Sequence, residues 1–136
     1  MTQRDEHRAL YLTYLKYCND HDVDGMATFY KSTMKVNEVP MDRAAVAAQF
    51  PTLFSAFPDW HWEVRNLVVD GDYIAGHFTV TGTHRGAFQG IEATGRLVTI
   101  SEFTFYRLED GKFAEVWDHA DIDAVMRQIG QNEARH

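Results

Sequence analysis

The 136-residue chain has little of three things that narrow a function at once: cysteine, positive charge and long apolar runs. It contains a single cysteine, Cys18, so no disulfide can form within the chain. Its 13 lysines and arginines are outnumbered by 20 aspartates and glutamates, which gives a formal net charge of -7. Because nucleic acids and anionic membranes repel such a chain, we expect neither as a partner.

Signals for export or membrane insertion are also missing from the pattern. No apolar run approaches the roughly 20 residues that a membrane-spanning helix needs. The opening segment MTQRDEHRAL lacks the apolar core of a secretory signal peptide, so the sequence predicts a cytoplasmic protein. Cys18 falls on the apolar stripe of the first predicted helix, which favours a buried packing residue over a nucleophile.

The first half of the chain has helical periodicity. Apolar residues recur at a spacing of three to four in three segments. The first segment ends near Asn19, the second runs from Asp22 through Tyr30, and the third begins at Asp42. We expect a short strand around 34–39, between the second and the third segment. Because Pro51 cannot continue the third helix without losing a backbone hydrogen bond, we expect a kink or restart there, before 52–57.

The second half changes to a period of two, which is typical of strands. Two hairpins are predicted, with turns at Asp70-Gly71 and Asp110-Gly111 and with strands from Trp60 to the first turn, over 73–83, over 97–107 and over 112–120. A glycine-rich connection over 82–96 joins the hairpins, and long loops of this kind often carry function. A last helix begins at Asp121 or Asp123 and ends at Gly130, and we expect the tail 131–136 to be disordered.

Helices and strands that are segregated in this order favour an α+β fold, in a single domain over residues 1–130. We expect a cone-shaped, curved antiparallel sheet with the N-terminal helices packed across its concave face. The mouth of such a cone is a natural pocket for a small molecule.

The last strand is the sharpest candidate for chemistry, because Glu115, Trp117, His119 and Asp121 share one parity. If the strand runs without a bulge, these four side chains emerge on one face of the sheet. Asp121 closes the strand and opens a helix, so it is a candidate acid/base, and the alternative is that it only caps the helix. His119 is a candidate for binding a substrate carbonyl or tuning Asp121, and the alternative is a partly exposed strand histidine.

Further candidates lie on neighbouring strands and among the aromatic residues. Glu102 is a catalytic candidate if its parity points into the cone, and a surface residue if it points outward. Tyr30, Trp60, His77 and Trp117 are candidates for the wall of a substrate pocket, although core packing explains most aromatic residues in any chain.

The pattern favours chemistry without a metal or a cofactor. The seven histidines form no His-x-His or His-x-x-x-His pair. The glycine-rich segment joins strands and precedes no helix, so it does not match a nucleotide-binding loop. A serine nucleophile elbow is absent as well.

Seven short motifs follow one another along nearly the whole chain. They are Phe57-Pro58-Asp59, Gly71-Asp72, Gly82-Thr83-His84-x-Gly86-x-Phe88-x-Gly90, Thr94-Gly95-Arg96, Arg107 with Asp110-Gly111-Lys112, Glu115-x-Trp117-x-x-x-Asp121 and Arg127-Gln128-Ile129-Gly130. In this order they resemble the SnoaL-like polyketide cyclases of the nuclear transport factor 2-like superfamily. The resemblance implies the cone-shaped fold, a homodimer that pairs through the outer face of the sheet, and an acid/base role for Asp121 in an intramolecular aldol closure.

The residues and the resemblance together predict a cofactor-independent cyclase or isomerase of a carbonyl-containing apolar or polyketide-like molecule. One alternative is an epoxide-type hydrolase, in which Asp121 and Glu102 flank a water molecule. The other is a non-catalytic module for ligand binding or dimerisation, whose cone is filled by its own aromatic residues. An open cavity with Asp121 facing inward favours the enzyme, whereas closure by Trp60 and Trp117 with Asp121 in a cap favours the module.

Overall fold

The structure is a computed structural model that describes residues 2–130, so the tail 131–136, predicted to be disordered, lies outside the described residues. The elements are α1 Gln3–Asn19, α2 Val23–Ala27, β1 Tyr30–Val36, β2 Val39–Asp42, α3 Arg43–Ala47, α4 Phe50–Ala56, β3 His61–Asp70, β4 Tyr73–Thr83, β5 Leu97–Glu109, β6 Lys112–Ala120 and α5 Ile122–Gly130. The predicted α+β fold is confirmed, with a curved, unclosed sheet and the helices on its concave side.

A capping box formed by Thr2 and Asp5 starts the first helix. The Thr2 hydroxyl accepts a hydrogen bond from the Asp5 amide, and the Asp5 carboxylate accepts one from the Thr2 amide. Tyr11 and Tyr14 of this helix pack against aromatic rings of the sheet, with Tyr14 in edge contact with Phe113 at 4.9 Å between centroids. The helix therefore covers the concave face of the sheet and forms one wall of any cavity beneath it.

The sheet has the strand order β2-β1-β6-β5-β4-β3. All neighbours are antiparallel except β1 and β6, which run parallel. The prediction that the second helix runs through Tyr30 is wrong, because α2 ends at Ala27 and Tyr30 begins β1. The Phe113 amide donates to the Phe29 carbonyl at 2.8 Å, so pairing with β6 overrides the helical spacing of the apolar residues.

Two of the three prolines, Pro40 and Pro51, lie within elements at places where a missing amide proton is harmless. Pro40 is in the edge strand β2, and Pro51 is in the first turn of α4. The predicted restart of the helix near Pro51 is therefore confirmed, with the break between Ala47 and Phe50.

A bulge in β6 decides which side chains of that strand face inward. Leu108 pairs with Phe113, but Arg107 pairs with Glu115, so Ala114 is an extra residue on this strand. Because an extra residue reverses the alternation, the inward positions change from the parity of Phe113 to the parity of Val116 and Asp118. Trp117 and His119 consequently lie on the outer face, opposite Phe105 and Phe103 of β5, which are 41% and 54% exposed.

Within residues 2–130 no helix combines the length and the apolar character needed to cross a membrane.

The loop after β4 crosses the end of α4 at Gly86, so we expect a side chain at this position to destabilise the fold. The amides of Arg85 and Gly86 both donate to the Ala56 carbonyl, and a methyl group on Gly86 would lie 2.7 Å from the backbone oxygen of Ser55. We expect Gly86→Ala to lower the free energy of unfolding by about 1–3 kcal/mol in urea titrations.

The matched control is Gly130→Ala, where the added methyl group meets only the tip of the Ile91 side chain at 3.3 Å. We expect a change of less than about 0.5 kcal/mol there. Equal effects of the two substitutions would contradict the close crossing at Gly86.

Candidate functional site

A cavity of about 100 Å³ lies between α1 and the concave face of the sheet. Its lining is mostly aromatic and aliphatic and consists of Tyr11, Tyr14, Leu15, Cys18, Tyr30, Met34, Val36, Val46, Gln49, Phe50, Trp62, Phe78, Glu102, Thr104, Tyr106, Val116 and Asp118. Glu102 and Asp118 are the two acidic residues in this lining. An apolar cavity with a few convergent polar groups is the arrangement in which small molecules bind to proteins.

Asp118 and Glu102 form a buried carboxyl pair on adjacent strands. Asp118 lies directly opposite Thr104 in the pairing of β5 with β6, and Glu102 is opposite Ala120, so the two carboxyl groups are diagonal neighbours. Burial raises the pKa of Asp118 well above its usual range, and a hydrogen bond to the Glu102 carboxyl group, together with the negative charge of that group, raises it further. Asp118 therefore keeps its proton at neutral pH.

The two carboxyl groups are hydrogen-bonded to each other, because protonated Asp118 donates to Glu102. The hydroxyl group of Thr104, the cross-strand neighbour of Asp118, is hydrogen-bonded to the Tyr11 hydroxyl group. The polar groups of this wall therefore pair with one another.

Glu102 is fixed by an indole. The residue is 8% exposed, and the Trp62 Nε1–H group donates a hydrogen bond to its Oε1 at 2.8 Å. Trp62 is fixed in turn by Asn19, whose side-chain amide donates to the Trp62 carbonyl at 3.1 Å and accepts from the Trp62 amide at 2.8 Å. The end of α1 thus orients the indole that orients the carboxyl group.

Neutral hydroxyl groups occupy the opposite wall. The Tyr14 and Tyr30 hydroxyl oxygens are 2.7 Å apart. Burial raises the pKa of Tyr11, Tyr14 and Tyr30 above the usual range of a phenol, so these groups are hydrogen-bond donors and carry no charge at neutral pH.

Cys18 also lines the cavity, and burial raises the pKa of its thiol to about 12. At neutral pH the thiol is protonated and weakly nucleophilic. This agrees with the prediction of a buried packing residue.

Two of the seven residues that the sequence predicts for the site lie in the cavity wall. Glu102 points inward from β5, and Tyr30 contributes its ring from the start of β1. Trp60 is buried at 2% exposure, but it packs against Phe57 outside the cavity lining.

The other four predicted residues lie elsewhere. His77 stacks on Phe103 on the outer face at 4.5 Å between centroids, and His119 pairs with the same residue across the strands. Trp117 lies on that face too, opposite Phe105. The bulge at Ala114 is the physical reason for Trp117 and His119, because it aligns their parity with the outer face, whereas His77 lies on β4 and follows the parity of its partner Phe103.

Asp121 is the N-terminal cap of α5. Its Oδ1 accepts a hydrogen bond from the Ala124 amide at 3.0 Å, and its own amide donates to the Ser101 carbonyl. The structure therefore combines an open cavity, which favours an enzyme, with a capping Asp121, which favours a non-catalytic module. Trp60 and Trp117 do not close the cavity.

Sequence reasoning missed Asp118, Trp62 and Thr104 as parts of one site. Trp62 and Thr104 have the inward parity of their strands, as Glu102 does, so alternation is the signal that could identify them. Asp118 has the opposite parity to Trp117, His119 and Asp121, and the sequence carries no signal for the bulge. Among residues 2–130 no group of three or more histidine, cysteine or acidic side chains is arranged to hold a metal ion.

The comparison with family models gives a match to the description SnoaL-like polyketide cyclase over residues 8–129. A search of curated protein sequences gives no match.

Solved structures resemble the chain over nearly its whole length. AclR, a proposed hydroxylase from Streptomyces galilaeus, is 27% identical, with a TM-score of 0.86 over 95% of this chain and 83% of that chain. A SnoaL-like polyketide cyclase from Agrobacterium tumefaciens is 28% identical, with a TM-score of 0.79 over 96% of this chain and 100% of that chain. TsrD from Streptomyces laurentii is 25% identical, with a TM-score of 0.83 over 96% and 98%.

The raised pKa of Asp118 makes the free energy of unfolding depend on pH. An aspartate in the unfolded chain loses its proton near pH 4, whereas folded Asp118 retains it, so the free energy of unfolding falls as pH rises above about 4. Asp118→Asn cannot ionise and escapes this loss. We expect the variant to be more stable than the wild type by about 1–3 kcal/mol at pH 7 and by much less at pH 4.

Denaturant titrations from pH 4 to pH 8 measure the difference. Asp121→Asn is the control, because asparagine caps a helix as well as aspartate does, and its difference from the wild type should stay within about 0.5 kcal/mol across that range. If the difference in the free energy of unfolding between Asp118→Asn and the wild type does not grow with pH, the assignment of a protonated Asp118 is wrong.

Proposed function

The chain belongs to the family of SnoaL-like polyketide cyclases, and on this basis we propose that it is a cofactor-independent cyclase or isomerase of a carbonyl-containing apolar molecule. The family match and the SnoaL-like cyclase at 28% identity support the general cyclase or isomerase role. Acid/base chemistry by the carboxyl pair in the cavity is the specific part of the proposal.

The observation that carries the proposal is the hydrogen-bonded pair of carboxyl groups, Asp118 and Glu102, in the wall of an apolar cavity. Two adjacent buried carboxyl groups share a proton more readily than both ionise, which leaves one acid and one base side by side at neutral pH. Pairs of titratable groups in different environments are typical of sites for proton transfer.

The roles follow from what each carboxyl group contacts. Trp62 donates a hydrogen bond to Glu102, and a carboxylate is the better acceptor of that bond. Glu102 is therefore the base that removes a proton from the carbon next to a carbonyl group. The resulting enolate attacks a second carbonyl carbon of the same molecule, a carbon–carbon bond forms, and protonated Asp118 gives its proton to the new alkoxide.

No metal is needed for the balance of this reaction. The proton that Glu102 takes and the proton that Asp118 gives leave the pair with one proton in total, as at the start. A proton transfer between the two carboxyl groups restores the initial state, and their diagonal position on adjacent strands favours it.

Asp121 remains a prediction as the acid/base, and the experiment below tests it beside Asp118. Its carboxylate binds the Ala124 amide, so a catalytic role would have to compete with the cap. The carboxyl pair also favours the alternative of an epoxide-type hydrolase, in which one carboxyl group activates water and the other protonates the epoxide oxygen. An epoxide therefore belongs in the substrate panel.

We also propose that the chain forms a homodimer through the outer face of the sheet. Phe103, Phe105 and Tyr73 are 54%, 41% and 41% exposed on that face, and Tyr73 stacks on Phe105 at 5.1 Å between centroids. Stacked aromatic rings on an exposed sheet face are suited to a symmetric apolar contact.

The test of function compares turnover by the wild type, Asp118→Asn and Asp121→Asn on a panel of neutral ketones, diketones, polyketide-like esters and one epoxide. We expect Asp118→Asn to lose about a hundredfold or more in kcat/KM, because asparagine keeps the shape and removes the transferable proton. Asp121→Asn keeps its helix cap and should stay within about threefold of the wild type.

Ring closure is followed by mass and ultraviolet absorbance. A loss in Asp121→Asn with full activity in Asp118→Asn would reverse the assignment of the two aspartates. Binding of ketones without turnover by any of the three proteins would favour the non-catalytic module instead.

The dimer has a separate test. We expect sedimentation equilibrium to give a dimer for the wild type and a monomer, or a dimer at least about tenfold weaker, for Phe103→Ser, because the substitution removes a large exposed ring from the proposed contact. Leu12→Ser is the control, since Leu12 is 42% exposed on α1, away from the outer face. A wild-type monomer at all concentrations would contradict the proposal.

A further inference from the structure

We propose that the homodimer of the outer face forms while His77 and His119 are uncharged, and that it separates when acidification to about pH 5 protonates them. This inference rests on the homodimer of the proposed function. It goes further by naming the groups that control assembly and the condition under which assembly is lost.

A row of four side chains crosses the outer face from β3 to β6. Its members, in the order of the strands, are Asn66, His77, Phe103 and His119. The Phe103 ring is 54% exposed and stacks on the His77 ring, with 4.5 Å between centroids and 6° between planes. A contact that covers the Phe103 ring therefore also covers the two histidines on either side of it.

The outward side chains of β4 and β5 around this row include no lysine, arginine, aspartate or glutamate. They are Ala75, His77, Thr79, Thr81, Thr99, Ser101, Phe103 and Phe105. The charged side chains at the margins pair with each other, Arg65 with Glu63 at 2.9 Å and Arg107 with Glu115 at 3.2 Å. Two copies with a net charge of -7 each can therefore meet here without placing like charges at the centre of the contact.

The same properties favour a second copy of the chain as the occupant of this face. A partner of high charge would gain little from a face whose charges are already paired at its margins. A two-fold axis through the face instead brings the exposed rings of Phe103 and Phe105 onto the same rings of the second copy. This is the self-complementary contact that a symmetric dimer requires.

The structure contains the neutral imidazole of His77. The Asn66 Nδ2 atom is 3.1 Å from His77 Nδ1. An amide nitrogen of this kind only donates, so His77 Nδ1 is an acceptor and carries no proton. A second proton on the ring would occupy Nδ1, break this hydrogen bond and add a positive charge to the face.

A protonated imidazole is tolerated on the open face and is costly in the closed one. In a separate protomer water solvates the charge, and the Phe103 ring beneath His77 attracts it. In the dimer the charge would be removed from water into an aromatic contact, and the two-fold axis would add the like charges of the second copy. Protonation therefore favours the separate protomers.

The strands beside His77 provide no free carboxylate to offset a proton. On β3 the neighbours are Asn66 and the Glu63–Arg65 ion pair, in which the carboxylate already has a cation. On β5 the neighbour is Phe103. A charge on His77 would consequently be uncompensated in the dimer.

His119 is exposed and has more acidic neighbours. The turn between β1 and β2 lies beside β6, where the Glu38 carboxylate accepts a hydrogen bond from Trp117 Nε1 at 3.4 Å. Asp121 follows two residues after His119 and caps α5. Because these carboxylates offset part of a charge on His119, we expect His77 to contribute the larger part of the pH dependence.

The test measures the dimer Kd of the full chain by sedimentation equilibrium between about pH 7.5 and about pH 5.5, at a constant ionic strength of about 0.15 M. We expect the Kd of the wild type to rise by at least about tenfold on acidification, because charged groups would enter the contact. Acidification also makes each copy less negative, and that general effect would tighten the dimer instead. The direction of the change therefore separates the two effects, and circular dichroism at the lower pH checks that the chain stays folded.

The double variant His77→Gln, His119→Gln keeps polar side chains in the row and removes their titration. We expect its Kd to stay within about threefold over the same pH range, whatever its value at neutral pH. His7→Gln is the control, because His7 titrates as well but lies on α1, where its Nδ1 is 2.9 Å from the Gly71 carbonyl oxygen. This variant should keep the pH dependence of the wild type.

Failure of the inference and failure of the dimer give different results. A wild-type dimer whose Kd is constant or falls on acidification would overturn the inference and leave the dimer standing. The same holds if the double variant keeps the pH dependence of the wild type. A wild type that is monomeric at about pH 7.5 at all concentrations contradicts the dimer, and the inference fails with it.

Discussion

Two carboxyl groups held next to each other beneath a helix are the constraint on which the rest of this structure depends. An ionised carboxylate in such surroundings costs several kcal/mol unless it is paired. The fold contains no buried cation at this place among residues 2–130 to provide a pair. It provides instead one retained proton, on Asp118, and one indole hydrogen bond, to Glu102. The aromatic core around α1 supplies the stability that this arrangement removes.

The bulge at Ala114 explains most of the difference between the predicted and the observed site. The period of two in β6 is clear from the sequence, and the inward position of Phe113 is the natural assumption for an apolar residue. Extending that parity brings Trp117 and His119 inward as well. A bulge depends on hydrogen bonds to the neighbouring strand, and its extra residue here is an alanine, which carries no local signal.

Much of the fold follows from local chemistry that the sequence contains. Aspartate and glycine at the two hairpin turns, the Thr2 start of α1 and the position of Pro51 each specify their own structure within a few residues. The helix predicted through Tyr30 is wrong because the strand that contains Tyr30 forms only by pairing with β6, about 80 residues later. The site combines both cases: the inward position of Glu102 follows from an unbroken strand, whereas that of Asp118 requires contacts between strands.

The Asn19 side chain binds the free edge of the sheet. The side-chain amide binds both backbone polar groups of Trp62 on the edge strand β3, as one more strand would. A local opening that releases this amide also frees the indole that holds Glu102. We therefore expect the last turn of α1 and the carboxyl pair to open as one cooperative unit, so hydrogen exchange of the Trp62 amide would report how often Glu102 loses its indole partner.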